Sequence, residues 1–586
     1  MAYYSRLAAL GYKRPSYHRR PGSEPLLALT VGQLVDWAAE EYGHREAMVS
    51  VYEGTRWTYQ EVRDQADRLA AGFRELGLAV GDMIALCGYN STYHYLTALA
   101  AARAGLLLAK VDPSCQAPEL LHCLRKVGAR LLLAGNDYYP LVLSLAPELE
   151  HSVPGQLFSE ALPSLTTLVL AGDQSQPGAY LLKDVQKMAT SDGIKRIRDL
   201  QECIDPDNAV FIHYTSGTTG SPKAAVLSHH SAVNASKFLE RCLNPERKIH
   251  KSLVQMQCCH VGATLNGVLA GLHGGIAVVF PSAKFDPCLS ITTMEEERCS
   301  LLLGTPAMYV DLVNKVQELG VTLTQPQVAL ITGTIVSEVI ARQIIKVLHL
   351  KRFVPLYGMS EGVPFFISGP EDTLEQSVQT TGRAAADIEV KVVDSSGTMV
   401  PVGTPGELWI RGYCLMRGYW NDEEKTKETI TKDGWLKTGD RVILDEDGFC
   451  KVVGRIKDVI IRGSDNIFPR EVEEFFLTHP DVADVQAFGV PDARWTEEVC
   501  VYIRQKPGSK IDERQLKSYC KGKVADFRIP RYIRFATEFP QNMVGKVDKK
   551  KMRQDFLQDN EFLKNNEALM NKFFEGNCDN KQNILQ

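Results

Sequence analysis

The chain has 586 residues, of which 44% are apolar and 23% charged, with a formal net charge of -5. So long a chain outgrows a single hydrophobic core and predicts two or three domains of ordinary globular composition. The acidic balance excludes the basic surplus with which nucleic-acid-binding proteins grip a phosphate backbone.

The first acidic residue is Glu24, and Arg6, Lys13, Arg14, Arg19 and Arg20 precede it. Residues 1–29 therefore read as an N-terminal tail, either a transit peptide or a solvated basic segment. Apolar residues recur at three- and four-residue intervals over 31–42 and 59–76, which predicts helices, whereas 82–87 and 105–111 predict short buried strands. Such alternation predicts an α/β fold, with parallel sheets covered by helices. Residues 95–109 come nearest to a membrane span, but Arg103 interrupts them, and no run reaches the roughly 18 uncharged apolar residues that crossing a bilayer requires. Residues 151–200, rich in Ser, Pro and Gly, predict an irregular excursion.

Residues 209–212 read as a strand leading into Tyr214-Thr215-Ser216-Gly217-Thr218-Thr219-Gly220-Ser221-Pro222-Lys223, which holds five Ser or Thr hydroxyls, two glycines and a lysine. Glycines let the backbone turn its N–H groups toward an anion, and the hydroxyls and ammonium add further donors, so the loop suits a phosphate. It is not a Walker A loop, because the lysine stands three residues after the second glycine and precedes Ala224. A polar surface turn is the plain alternative, but such turns rarely gather these residues so densely behind a buried strand.

The 14 cysteines form no Cys-x-x-Cys pair, which predicts reduced thiols in a reducing compartment. Cys258-Cys259-His260 is the one tempting metal cluster, but it lacks further ligands at matching spacing, so buried thiols are the preferred reading. Near Gly454 the large domain is expected to end. A strand over 459–462, a helix after Pro469, strands near 485–490 and 499–504 and a helix near 513–521 predict a compact α+β domain, and the Asn- and Lys-rich residues from about 559 predict a polar tail. The expected division is thus 1–29, 30–454, 455–558 and 559–586. Residues 583–586 carry no Ser-Lys-Leu peroxisomal address.

Downstream of the hydroxyl-rich loop stand Leu356-Tyr357-Gly358-Met359-Ser360-Glu361, Gly434-Trp435-Leu436-Lys437-Thr438-Gly439-Asp440, Gly454-Arg455-Ile456-Lys457-Asp458 and Gly545-Lys546. In order and spacing these segments resemble the acyl-adenylate-forming superfamily of acyl-CoA synthetases, peptide-synthetase adenylation domains and beetle luciferases, over about residues 30–553. The local wording is most similar to that of the medium-chain acyl-CoA synthetases, mitochondrial fatty acid:CoA ligases. The resemblance implies a large multi-sheet adenylate-forming domain followed by a small mobile α+β domain. It also implies ATP and coenzyme A as co-substrates, Mg2+, a hydrophobic carboxylic acid as substrate, and a mitochondrial matrix location, with the cytoplasm as alternative.

By the same resemblance Thr215, Ser216, Gly217, Thr218, Thr219, Gly220, Ser221, Pro222 and Lys223 would hold the β- and γ-phosphates, and Lys546 would meet the carboxylate and α-phosphate. Glu361 would be the magnesium-side carboxylate and Ser360 its neighbour. Tyr357 and Gly358 would face adenine from one side and Gly333 and Thr334 from the other, while Asp440 and Arg455 would contact the ribose. Lys457 would be the hinge, Gly463 and Ser464 would line the coenzyme A tunnel, and His260, Gly304 and Met359 would border the acyl pocket. Read without the resemblance, a lysine in the run 546–551 is more often solvated charge and an aspartate at a turn is often a cap.

Four positions depart from the family pattern. Ala224, Ser464 and Thr496 stand where family members usually carry glycine, and Val544 stands where they carry Ser. A side chain at Ser464 narrows the space beside an extended pantetheine. Every charged role remains filled, so a fatty acid:CoA ligase leads over an adenylating enzyme with a different acceptor and over a nucleotide-binding pseudoenzyme.

Overall fold

Thr30 and Thr58 open the first two long helices by the same device. Each hydroxyl accepts a hydrogen bond from the third helical N–H, and the residue there, Gln33 or Glu61, reaches back to the N–H of the cap. The reciprocal pair satisfies two donors that a helix start otherwise leaves bare. The helices Val31–Tyr42 and Tyr59–Glu75 then bury the apolar face that the periodicity predicts. The computed structural model describes residues 14–215, 222–463, 465–492, 494–541 and 546–558, with the side chain at 466 left aside.

Two large sheets carry the fold. In an eight-stranded sheet, Ala209–Thr215, Leu107–Val111, Met83–Cys87, Leu131–Gly135, Thr167–Ala171 and Ala179–Leu181 are parallel neighbours in that order. Lys223–Ser228 returns antiparallel to Ala209–Thr215 and pairs in turn with Gly418–Tyr419. In a nine-stranded sheet, Glu46–Ser50, Ala277–Phe280, Lys251–Val254, Leu301–Gly304, Val328–Ile331 and Arg352–Met359 run parallel. Several of these strands are buried along their whole length, as expected where helices cover both faces.

A third, antiparallel sheet joins Tyr17–Arg19, Ile388–Val393, Gly406–Gly412, Leu436–Leu444 and Cys450–Arg455. Its Leu436–Leu444 strand alternates buried and less buried residues, the mark of a sheet with one covered face. The remaining sheet, of Asp465–Ile467, Ile460–Arg462, Thr496–Gln505, Val482–Asp492 and Tyr532–Phe535, has a core of its own in which Ile460, Phe476, Val485, Val501 and Ile533 are packed. The fold is therefore the expected α/β architecture with a smaller α+β unit at the C-terminal side.

Three features differ from the sequence reading. Residues 151–200 are not irregular: they hold the strands Thr167–Ala171 and Ala179–Leu181 and the helices Leu182–Lys187 and Ser191–Leu200. The short run Leu168-Val169-Leu170 suffices because Leu131–Gly135 is beside it to complete its ladder. Part of the expected N-terminal tail is built into the third sheet, where Tyr17–Arg19 pairs with Ile388–Val393 and the Tyr17 hydroxyl donates to Glu389 at 2.6 Å. Arg103, which broke the apolar run, is wholly buried at the end of helix Thr92–Arg103. It reaches Asp67 at 2.5 Å, Asp36 at 3.0 Å and the Gly32 carbonyl at 2.8 Å, and a guanidinium is tolerated in a core only with such partners. Among the described residues no helix is long and apolar enough to cross a membrane.

Candidate active site

The C-terminal ends of parallel strands are where open α/β sheets hold ligands, and the predicted residues converge there. Gly333 follows Val328–Ile331, and Tyr357 and Gly358 lie near the end of the adjoining Arg352–Met359. Tyr357 is partly exposed and leans on Phe366, with ring centroids 6.3 Å apart and planes 24° from parallel, and edge-on against Phe365 at 5.7 Å. Gly333 has φ +97, a conformation that favours glycine. Thr334 is exposed beside it.

The Tyr357 hydroxyl donates to Asp440 Oδ2 at 2.6 Å. Asp440 and Arg455 are register partners across the last ladder of the third sheet, and Arg455 Nε lies 3.2 Å from Asp440 Oδ1. The Asp440 N–H donates to Thr438 Oγ1 at 3.1 Å, fixing the turn through Gly439. Burial raises the pKa of the Asp440 carboxyl, against the lowering effects of Arg455 and the tyrosine hydroxyl. A carboxylate with two oxygens so aimed can chelate a pair of vicinal hydroxyls.

Glu361 forms a second knot. Met359 and Gly362 are paired in a hairpin, so Ser360 and Glu361 form its turn, and the Glu361 side chain is buried. Tyr419 donates to Glu361 Oε1 at 2.6 Å and accepts from Lys223 Nζ at 2.9 Å, whose ammonium also lies 4.2 Å from the tyrosine ring centre. Burial lowers the Lys223 pKa, and Glu361 opposes that shift. Thr215, paired with Lys223 at the mouth of the hydroxyl-rich loop, keeps a buried Oγ1 without a hydrogen-bond partner among the described residues. Ser216, Gly217, Thr218, Thr219, Gly220 and Ser221 lie outside the described residues, and Pro222 accepts at its carbonyl from the His122 ring at 3.3 Å.

Lys546 arrives from beyond the small sheet. A Cβ placed on Gly333 would lie 3.5 Å from Lys546 Cε, an ordinary contact distance, so the lysine side chain packs beside this glycine. Burial pushes the Lys546 pKa down to about 8, with Arg455 adding to the shift and Asp440 and Glu361 opposing it. The lysine is thus buried near the two acids and the arginine named above.

The remaining predicted residues are less uniform. Burial, reinforced by Lys546 and Lys110, holds His260 neutral with a pKa pushed down to about 4. Gly304 faces the buried ring of Tyr309, 3.1 Å from where its Cβ would be, so packing alone accounts for that glycine. Met359 is partly buried against the main core. Lys457 is exposed in the short turn Ile456–Asp458 between the third and fourth sheets. Gly463 has φ +62, and Trp495 lies 3.0 Å from its Cβ position; Ser464 lies outside the described residues. Sequence reasoning gave no role to Tyr419, nor to Asp112, whose Oδ2 lies 4.0 Å from His260 Nε2.

Comparison with known proteins places this geometry. A family profile described as "AMP-binding enzyme" matches residues 35–420, and one described as "AMP-binding enzyme C-terminal domain" matches residues 471–546. The chain is 39% identical over 548 residues to the Danio rerio mitochondrial medium-chain acyl-CoA ligase ACSF2, covering 92% of this chain and 90% of that one. Its human counterpart is 37% identical over 553 residues, covering 92% and 89% of the two chains. Among solved structures, the anthranilate CoA ligase AuaEII in complex with anthranoyl-AMP superposes with a TM-score of 0.80 at 21% identity, over 91% of this chain and 98% of that one, which speaks to the fold. Matched over most of its length by profile and by relatives, the chain belongs to the AMP-binding enzyme family.

Proposed function

We propose that the protein is an AMP-forming fatty acid:CoA ligase: it joins a hydrophobic, medium-chain carboxylic acid to the α-phosphate of ATP, releases pyrophosphate, and passes the acyl group to coenzyme A with loss of AMP. The observation that carries this reading is the burial of Lys546, from the C-terminal unit, against Gly333 and among Asp440, Arg455 and Glu361. A carboxylate attacking a phosphorus atom builds negative charge on the phosphoryl oxygens. A buried ammonium and a preformed donor set stabilise that charge without having to reorganise.

Each residue has a part in this reading. Asp440 and Arg455 grip the ribose, and Tyr357 both offers a face to adenine and holds Asp440 in place. Lys223 and the hydroxyl-rich loop receive the β- and γ-phosphates, and Lys546 bridges the substrate carboxylate and the α-phosphate. Magnesium is a hard cation that takes oxygen ligands, and the buried Glu361 carboxylate and Thr215 Oγ1, which has no hydrogen-bond partner among the described residues, suit it. When bound, the ion would offset charge on the triphosphate. His260 and Met359 border the acyl chain, with Gly304 behind them.

Residues 30–454 form the large domain on this reading and 455–558 the mobile one, with Lys457 as pivot and Gly463 and Ser464 lining the path of pantetheine. The burial of Lys546 beside Gly333 supports the adenylating step as the one this arrangement serves. A mitochondrial location rests on the relatives named mitochondrial.

Pyrophosphate release and thioester formation, measured with a panel of saturated acids in the presence and absence of coenzyme A, test the proposal. Thioester formation peaking at medium chain length is expected. Pyrophosphate release without thioester would transfer the acyl group to another acceptor, and ATP binding without release would leave no ligase.

A further inference from the structure

Asp112, Cys259 and His260 bring a carboxylate oxygen, a thiol sulfur and an imidazole nitrogen to within 4.8 Å of one another, on segments that the sequence keeps far apart. Asp112 follows the strand Leu107–Val111, and Cys259 and His260 immediately precede the helix beginning at Val261. Asp112 Oδ2 and His260 Nε2 are both buried and have no hydrogen-bond partner among the described residues, although they lie 4.0 Å apart. Two buried polar atoms facing each other unsatisfied are costly, and a shared ligand between them removes the cost.

We propose that Asp112, Cys259 and His260 form a site for a zinc-class divalent ion. Zinc takes this mixture of oxygen, sulfur and nitrogen donors, and two ligands about 2.1 Å from the ion at a tetrahedral angle stand about 3.4 Å apart, slightly closer than the observed pair. The donors are already oriented. Asp112 Oδ1 accepts from the Ser114 N–H at 2.8 Å and from its hydroxyl at 2.6 Å, which leaves Oδ2 to bind singly. The backbone carrying the other two ligands is pinned at three successive carbonyls: Lys110 donates to Cys258 at 3.0 Å, His213 to Cys259 at 2.9 Å, and Thr264 to His260 at 3.1 Å.

Binding releases the thiol proton of Cys259, and the resulting thiolate and the Asp112 carboxylate together neutralise the two charges of the ion. The buried Lys110 ammonium nearby therefore faces a complex with no net charge. Three protein ligands leave the fourth position for water. Since the proposed function sets His260 beside the acyl chain, fixing its ring on the ion obstructs that pocket; this consequence rests on the proposed function, whereas the site itself does not.

The test uses the full-length, reduced protein and cobalt(II), whose spectrum reports its ligands, followed by competition with zinc. One equivalent of cobalt should bind, with a thiolate-to-cobalt charge-transfer band that zinc abolishes. Cys259→Ser should remove the band, and Asp112→Asn should weaken binding by at least about tenfold, the scale on which even outer-shell partners act. Replacing the exposed Cys203 and Cys288 by serine should leave the band intact. A thermal melt in zinc checks the wild-type protein without any substitution and should shift upward. Absence of the band, or its survival in a folded Cys259→Ser protein, overturns the site. If the band is present but zinc leaves pyrophosphate release unchanged at saturating magnesium, the site stands and its placement beside the acyl pocket fails.

Discussion

Arg455 and Asp440 meet at 3.2 Å across paired strands, but they are unequally placed: the Asp440 side chain is 6% exposed and that of Arg455 48%. The arginine is free to turn into solvent, whereas the aspartate is held from the other side by Tyr357. That asymmetry makes Asp440 the more firmly held half of the pair.

Asp440→Asn should separate binding from stability. Because burial raises the Asp440 pKa, folding favours the protonated acid. That contribution is complete below the unfolded pKa of about 4 and is lost as pH rises through the raised value. At neutral pH the ionised group gives no such support, so the amide should leave the melting temperature level or higher. ATP affinity should fall about tenfold, near 1.4 kcal/mol, when measured by calorimetry. A large drop in melting temperature with unchanged affinity would assign Asp440 to the scaffold instead.

Lys546 predicts an alkaline limb in catalysis. Its pKa is lowered to about 8, and the profile of kcat/KM reports the free enzyme; the adenylation rate should therefore decline above about pH 8 as the ammonium is lost. Lys546→Ala should abolish acyl-AMP formation while ATP still binds, and Lys546→Arg should retain a small activity without that limb. The linkage runs the other way for folding: with a folded pKa below the unfolded one, stability attributable to this group rises between about pH 8 and 10.4.

Tyr419→Phe removes the hydroxyl that joins Lys223 to Glu361 but keeps the ring over which the ammonium sits. The expected result is a fall of about tenfold in pyrophosphate release, the worth of one charge-assisted hydrogen bond, with a raised magnesium requirement. An unchanged magnesium titration would detach Glu361 from the metal role.

Thr496 has φ +70, where a β-branched residue is strained by about 1–2 kcal/mol. Thr496→Gly should raise the stability of the small unit by about 1 kcal/mol after the entropic cost of glycine, read as the midpoint of its unfolding transition in urea. A destabilised variant would mean that the threonine side chain compensates for its backbone.

The parallel sheets and the small α+β unit were legible because each follows from local pattern: apolar runs of strand length and capped amphipathic helices. Asp440, Arg455 and Lys546 were named from motif order, and the fold brings all three to one cleft. What the sequence concealed is long-range. Residues 167–171 look like loop until the neighbouring strand is there to pair with them, and Tyr419 acquires a role only when the edge pairing with Ala225 and Val226 carries it to Glu361. Cys259 and His260 read as unaccompanied thiol and ring because Asp112 joins them only through tertiary structure. Arg103 read as a break in an apolar run, and its buried acids lie on other helices.

The third sheet ends at Arg455 and the small sheet starts at Ile460, so the crank joining the two lobes is short. On the proposed function, a nucleotide held by Arg455 would grip the root of that crank, and departure of AMP would loosen the place about which the little lobe is proposed to turn. Product exit and rearmament for the next cycle would then be tied to one axle.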